Sequence, residues 1–226
     1  MAASHRYEPK GPISSFIHHF EEGALALLLG VMTLLTFVNV VLRFFGGLNV
    51  WSLEVVSILF AWLVLFGTAY GFKITAHLGV DALLNIVSDP VRRVMGLIAA
   101  VLCIAYALLL IKGAWDYWAP FADLNQTAGR WFPTGFAQTR SRSFMETGQV
   151  PMLGWLRFLE DWINYGERYS KMPVVIPYLI LPISAVLILV RLIQATLSIL
   201  RGERDILIVS HEAEEAIEDI RAEGLD

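Results

Sequence analysis

Histidine can hold a haem inside a membrane, because its imidazole serves as an axial ligand to the iron. None of the five histidines lies in a long apolar stretch; they are His5, His18, His19, His77 and His211. The single cysteine, Cys103, excludes an intramolecular disulfide and a metal site built on cysteine pairs. We therefore expect no cofactor and no metal site, and a membrane-bound redox or haem anchor is disfavoured.

Enzyme motifs with a defined spacing are missing from the sequence. It contains no HExxH of zinc hydrolases, no GxSxG of serine hydrolases and no phosphate-binding loop. Each of these motifs supplies a nucleophile, a base or a phosphate cradle that the reaction requires. The sequence therefore predicts that the chain is not an enzyme and has no catalytic residue.

A self-sufficient transporter needs ionisable side chains or interrupted helices near the middle of the membrane. The centres of the long apolar stretches carry no charge here, although Asn39 is polar. Pro177 and Pro182 interrupt the last stretch, which is typical of a tolerated kink and also of a discontinuous helix. The sequence favours a supporting subunit. The alternative is a self-contained homo-oligomeric transporter or channel, with a path around these three residues.

Charged and aromatic residues gather at the edges of the apolar stretches. Arg43 ends the first stretch and Glu54 opens the second, with Trp51 between them. Charge is tolerated better at the edge of a bilayer than at its centre, and Trp is common at that edge. We expect an ion pair between Arg43 and Glu54 that clamps the first two helices together.

Two further pairs have helical spacing. His77 and Asp81 are four residues apart, which places both on one surface of a helix. Gly67 and Gly71 have the same separation, and small residues four apart let two membrane helices approach closely. We interpret all four as structural or subunit-interface residues; the glycines could contact a helix of this chain or of a partner.

The composition indicates a membrane protein. Of the 226 residues 56% are hydrophobic and 17% charged, and the net charge of −4 provides no basic surface for nucleic acid. A helix needs about 20 apolar residues to cross a bilayer. We predict an all-α fold with interfacial amphipathic helices and a transmembrane domain over 24–200, preceded by an N-terminal segment (1–23). Its spans are 24–43, 54–73, 93–112 and 174–200.

The distribution of Lys and Arg predicts the orientation. The long loop 113–173 is set aside, because long loops cross the membrane largely regardless of charge. Nine Lys and Arg residues then lie on the side of the termini, and only Arg43 lies on the other side when Lys112, directly before the loop, is counted with it. Both termini are therefore expected in the cytoplasm, together with an acidic tail (201–226), and loop 113–173 in the periplasm.

Loop 113–173 is rich in aromatic residues. Within it Leu156, Leu159 and Ile163 recur at helical spacing, which predicts an amphipathic helix lying on the outer membrane surface or on a partner. A folded soluble domain is not expected, because the loop is short and lacks cysteine. The loop holds five of the seven tryptophans: Trp115, Trp118, Trp131, Trp155 and Trp162.

Several of these residues together resemble the small, DctQ-like membrane subunit of tripartite ATP-independent periplasmic (TRAP) transporters. The resemblance rests on the stretches FVNVVLRFF (37–45), WSLE (51–54), FAWLVLFG (60–67) and HLGVD (77–81). The order and spacing of Arg43, Trp51, Glu54, Gly67, His77 and Asp81 match over roughly residues 37–95. Leu53 departs from the pattern, because the family often has a second acidic residue there.

The resemblance implies a role and partners. The long aromatic loop is similar to that of the larger members, which serve four-carbon dicarboxylates. An extracytoplasmic binding protein would deliver the substrate to a large membrane subunit, which moves as a sodium-coupled elevator. The small subunit would support it as a fixed scaffold among the lipids of a bacterial inner membrane.

Overall fold

The computed structural model describes residues 12–47, 49–74, 88–137 and 140–201. These ranges are mostly helical. The helices are α1 (Pro12–Phe44), α2 (Val50–Ile74), α3 (Asp89–Trp118), α4 (Phe158–Ile163), α5 (Val175–Tyr178) and α6 (Ile180–Leu200). Short 3-10 turns occupy Ala119–Ala122 and Gly154–Leu156, and two strands complete the described fold: β1 (Glu146–Pro151) and β2 (Lys171–Pro173).

Four helical stretches of the described residues are long and apolar enough to cross a membrane. We call them the first to fourth spans: Ser15–Phe44, Val50–Lys73, Pro90–Ala122 and Val175–Leu200. A helix bonds its own amides and carbonyls, which is what apolar surroundings without water require. The prediction of an all-α membrane protein with four spanning helices is confirmed.

The hydrogen bonding of the fourth span is interrupted where α5 meets α6. Leu179 lies between the two helices, and its φ of −57° and ψ of −27° are still helical. Pro177 and Pro182 on either side lack an amide hydrogen, so the regular ladder of hydrogen bonds cannot run through this point. The prolines therefore interrupt the hydrogen bonds of the span, while the backbone between them stays helical.

The residues between the third and fourth spans, which we call the 123–174 segment, fold around a hydrophobic core. Strands β1 and β2 pair antiparallel, with Glu146 opposite Pro173, Pro151 opposite Lys171 and an irregular register between. The core consists of side chains from the segment and from the ends of two spans: Phe121, Val150, Leu156, Leu159, Ile163, Tyr169, Met172 and Val175. A folded domain was not expected in loop 113–173; the segment nevertheless folds around this core, because the ends of the spans supply part of it.

The predicted amphipathic helix is present, but its orientation differs from the prediction. It consists of a 3-10 turn followed by α4, and Leu156, Leu159 and Ile163 are buried in the core described above. Two tryptophans of the same stretch face outward, with Trp155 72% and Trp162 73% exposed. The apolar positions that the sequence assigned to a membrane surface or a partner are therefore interior positions of the segment.

The described residues form two compact units. The first contains the residues up to His19, those of Thr68–Ala107 and those from Leu187 onward; the second contains Phe20–Gly67 and Leu108–Val186. In the first unit the Arg93 guanidinium donates a hydrogen bond of 2.9 Å to the Leu200 carbonyl. The second unit contains the 123–174 segment and the contacts that follow.

Candidate functional site

The turn between the first two spans brings three of the predicted residues to one end of the helices. α1 ends directly after Arg43, and α2 begins directly before Trp51. Gly46 has a φ of +79°, a conformation that glycine adopts without steric strain. Glu54 lies in the first turns of α2 and is half-buried, whereas Trp51 is exposed.

The Glu54 carboxylate accepts hydrogen bonds from three successive backbone amides of β1. Oε1 lies 2.8 Å from the Gly148 nitrogen, and Oε2 lies 2.5 Å from that of Gln149 and 3.2 Å from that of Val150. Backbone amides that converge in this way form an anion-binding cradle. Glu54 therefore joins the second span to a strand 94 residues further along the chain.

The expected ion pair between Arg43 and Glu54 is not among the ion pairs that the described residues form. The physical reason is that the Glu54 carboxylate already lies against the three amides of β1. Charge-assisted hydrogen bonds to fixed backbone donors satisfy a carboxylate without ordering a long arginine side chain. In place of the predicted ion pair, Glu54 contacts the backbone of β1.

Gly67 faces the first span. A Cβ atom added to Gly67 would lie 3.6 Å from Cδ2 of Leu25, which is an ordinary van der Waals distance. The contact places this glycine against a helix of the same chain, one of the two alternatives that the GxxxG spacing left open. Gly71 is half-buried, and its assignment as an interface residue remains a prediction.

Two tryptophans bind carbonyl groups at the start of the fourth span, where its hydrogen bonding is interrupted. Trp118 Nε1 donates to the Val175 carbonyl at 2.9 Å, and Trp62 Nε1 donates to the Pro177 carbonyl at 3.0 Å. The Val175 carbonyl is available because the Leu179 amide bonds Ile176 instead. Neighbouring helices thus satisfy acceptors near the interruption, as apolar surroundings require. The sequence offered no signal for this role.

Carboxylates also hold the backbone together within the 123–174 segment and at its start. Asp116, at the end of the third span, accepts from the Thr127 amide at 2.6 Å. Buried Asp123 accepts from the Arg140 amide at 3.0 Å, and buried Glu160 from the Tyr169 amide at 3.2 Å. Glu146 accepts from Ser170 at 2.9 Å. Like Glu54, these four carboxylates replace missing backbone partners.

Arg140 connects several of these residues on the surface of the segment. Its guanidinium bonds Asn164 Oδ1 at 2.8 Å and Glu167 Oε2 at 2.5 Å. The bond to Arg140 lowers the pKa of Glu167, and the bond to Glu167 raises the pKa of Arg140. Tyr165 donates to Asp123 at 2.6 Å, and this bond raises the pKa of the Tyr165 hydroxyl.

Three residues of this network have a positive φ without being glycine: Asp123 at 55°, Arg140 at 50° and Tyr165 at 55°. Such residues persist only where surrounding contacts fix them. Here the Asp123 carboxylate bonds both the backbone of Arg140 and the hydroxyl of Tyr165. The network therefore has a structural role, since its polar groups are bound to one another.

Two of the predicted interface residues, His77 and Asp81, lie outside the described residues, as do the acidic tail and most of the loop between the second and third spans. Among residues 12–47, 49–74, 88–137 and 140–201, no three His, Cys, Asp or Glu side chains gather in a way that could hold a metal ion. The arrangement that the structure does describe is a junction between a span and a folded segment.

Comparison with known proteins gives consistent matches. The family model of the DctQ component of tripartite ATP-independent periplasmic transporters matches residues 32–139. The C4-dicarboxylate TRAP transporter small permease protein DctQ of Vibrio cholerae is 40% identical over 212 residues, which cover 93% of this chain and 84% of that protein. Its namesake in Pseudomonas aeruginosa is 38% identical over 125 residues, covering 43% of this chain and 60% of that one.

Proposed function

The chain belongs to the DctQ family of small permease subunits of tripartite ATP-independent periplasmic transporters, and on this premise we propose that it is the scaffold of a C4-dicarboxylate uptake system. It is a multi-pass protein of the bacterial inner membrane, and its family is one of transport proteins rather than enzymes. The proposed substrates are of the succinate, malate and fumarate class.

The observation that carries the scaffold proposal is the uncharged and exposed character of the spans. Residues 23–42, 55–72, 94–111 and 174–190 contain no Asp, Glu, Lys or Arg. In the most apolar stretch of the first span no residue is buried within the chain, and in that of the second span 6% are. Such helices can pack against lipid and a partner, but they offer no charge for a dicarboxylate or a sodium ion.

The proposed partners would supply the substrate and sodium sites that the spans of this chain lack. A large elevator-type membrane subunit would carry the substrate and sodium sites, and an extracytoplasmic binding protein would deliver the substrate. In the proposed topology both termini are cytoplasmic and the 123–174 segment faces the periplasm. The basis is the excess of Lys and Arg on the side of the termini once the long loop is set aside.

Reconstitution in proteoliposomes tests the proposal. The large subunit and the binding protein are combined with or without this chain, and succinate uptake is measured with and without an inward sodium gradient. We expect uptake to require all three proteins and the gradient. Uptake at full rate without this chain would exclude the scaffold role, and uptake by this chain alone would favour a self-contained transporter.

A further inference from the structure

We infer that Glu54 is a positioning residue that fastens the 123–174 segment to the second span, so that the segment keeps one fixed place on the membrane helices. The sequence predicted an ion pair between Arg43 and Glu54 and gave no indication of this contact. It depends on the three amides of β1 that meet the Glu54 carboxylate. The inference deepens the proposed function, because a scaffold must hold its parts in register.

The chemistry of the cradle requires a carboxylate at position 54. An ionised carboxylate presents two acceptor oxygens, and here one oxygen serves Gly148 while the other serves Gln149 and Val150. A glutamine has the same shape but a single acceptor oxygen, and its NH2 group is a donor. In Glu54→Gln at least one amide of β1 would therefore face another donor.

Gly148 lies directly against the carboxylate. A Cβ atom added there would lie 3.4 Å from Oε1 of Glu54 and 3.6 Å from Oε2. These are ordinary van der Waals distances, so an alanine fits beside the carboxylate and should change the contact only slightly. The two sides of the junction can thus be tested separately by Glu54→Gln and Gly148→Ala.

Apolar packing accompanies the hydrogen bonds between Glu54 and β1. Val55 and Ile58 follow Glu54 on the same helix, at i+1 and i+4, and pack against the core of the segment that includes Val150. Apolar packing stabilises the contact between the span and the segment but does not select one position of the strand. The hydrogen bonds to successive amides are directional and therefore fix the register of the strand. The carboxylate thereby determines where along the second span β1 lies.

The test is hydrogen–deuterium exchange of the full chain in lipid nanodiscs, read at the amides of residues 148–150. We expect Glu54→Gln to speed their exchange at least tenfold, while amides of the four spans keep the wild-type rates. The matched control is Glu167→Gln, which removes an exposed carboxylate of the same segment that does not touch β1. Unchanged exchange at 148–150 in Glu54→Gln would overturn the inference, as would equally faster exchange along the spans.

Gly148→Ala provides the second variant, with a smaller acceleration at the same amides. If both changes act on one contact, the double variant is less than additive, whereas independent effects would contradict a shared junction. The charge swap Arg43→Glu with Glu54→Arg is expected to leave exchange at 148–150 fast; restored protection would favour an ion pair over the cradle. Because exchange is measured without uptake, failure of this inference is distinct from failure of the proposed function.

Discussion

The spans and the 123–174 segment are built on opposite principles. The spans are apolar on nearly every face, and large side chains such as Leu34, Phe37 and Leu102 are 61–65% exposed. The segment buries a core that it shares with the ends of the spans, and several of its backbone amides bind carboxylates. The spans therefore expose apolar surface to what surrounds them, whereas the segment is stabilised by contacts within the chain.

The difference has a simple cause in hydrogen bonding. A long helix satisfies its backbone internally, so a span needs no side chain for that purpose. The segment has only short helices and a two-stranded sheet, and its remaining amides need other acceptors. Five carboxylates serve them, and they are Glu54, Asp116, Asp123, Glu146 and Glu160.

The largest expected difference in stability between the two regions comes from a leucine-to-alanine change made once in the segment and once in a span. Leu159→Ala empties part of the core of the segment, where Leu159 is 6% exposed, and should lower the local free energy of unfolding by about 2–4 kcal/mol. Leu102→Ala, on the 65% exposed face of the third span, should change it by less than about 0.5 kcal/mol. Amide exchange in nanodiscs measures both. Equal losses of stability in the two variants would contradict the difference between the segment and the spans.

Tyr169→Phe tests a buried polar contact in the segment. The Tyr169 hydroxyl donates to the Ser143 carbonyl at 2.5 Å, and both residues are buried. Removal of the donor leaves a buried acceptor unsatisfied, which should destabilise the segment by about 1–2 kcal/mol. This loss should accelerate amide exchange in the segment. A smaller acceleration would show that the segment tolerates an unsatisfied carbonyl.

The same tyrosine gives the segment a response to alkaline pH. Burial raises the pKa of Tyr169 from 10.0 to about 12. The folded state thus holds the proton more tightly than the unfolded chain, and this stabilisation is complete below pH 10 and lost as the pH rises towards 12. Tyrosinate absorbance during an alkaline titration should show that Tyr169→Phe removes the tyrosine that titrates near pH 12. An unchanged titration near pH 12 in the variant would assign it to another tyrosine, such as Tyr165, whose pKa is also raised.

Trp62→Phe should have a smaller effect, confined to the start of the fourth span. The change keeps an aromatic ring but removes the donor to the Pro177 carbonyl, for a loss of about 1 kcal/mol. Trp51→Phe is the matched control, because the Trp51 ring is exposed. Amide exchange in residues 175–183 distinguishes them. The same outcome in both variants would mean that the indole contact does not stabilise the start of the fourth span.

The smallest effect concerns the surface pair of the segment. The hydrogen bond from Arg140 lowers the pKa of Glu167 below its ordinary value of 4.5. The pair therefore stabilises the segment above pH 4.5, and its contribution is lost as the pH falls through the lowered pKa. Glu167→Gln should flatten this part of the acid dependence of amide exchange near Arg140. An unchanged acid profile would assign the dependence to another carboxylate.

The sequence predicted the spans well because their cause is local. A run of about 20 apolar residues forms a helix in a bilayer whatever the rest of the chain does. The edge position of Glu54 was visible for the same reason, since it opens such a run. Its partners were not visible, because Gly148–Val150 are 94–96 residues away and carry no distinctive side chain.

The apolar residues of α4 show a second limit of sequence interpretation. Leu156, Leu159 and Ile163 have the spacing of one helix face, and the sequence correctly predicted a helix there. Periodicity does not identify what lies against that face. The core includes Phe121 and Val175, which belong to the ends of two spans, so only the three-dimensional arrangement revealed the interior role.

The length of chain between Glu54 and β1 affects how the protein is made. Synthesis proceeds from the N-terminus at about 5–20 residues per second, so Gly148 emerges roughly 5–20 s after Glu54. During that interval the carboxylate has none of its three amide donors, although the second span can already form. The junction therefore closes late in biogenesis, after the third span has been synthesised. A ribosome stalled before residue 148 would leave the first three spans made and the junction open.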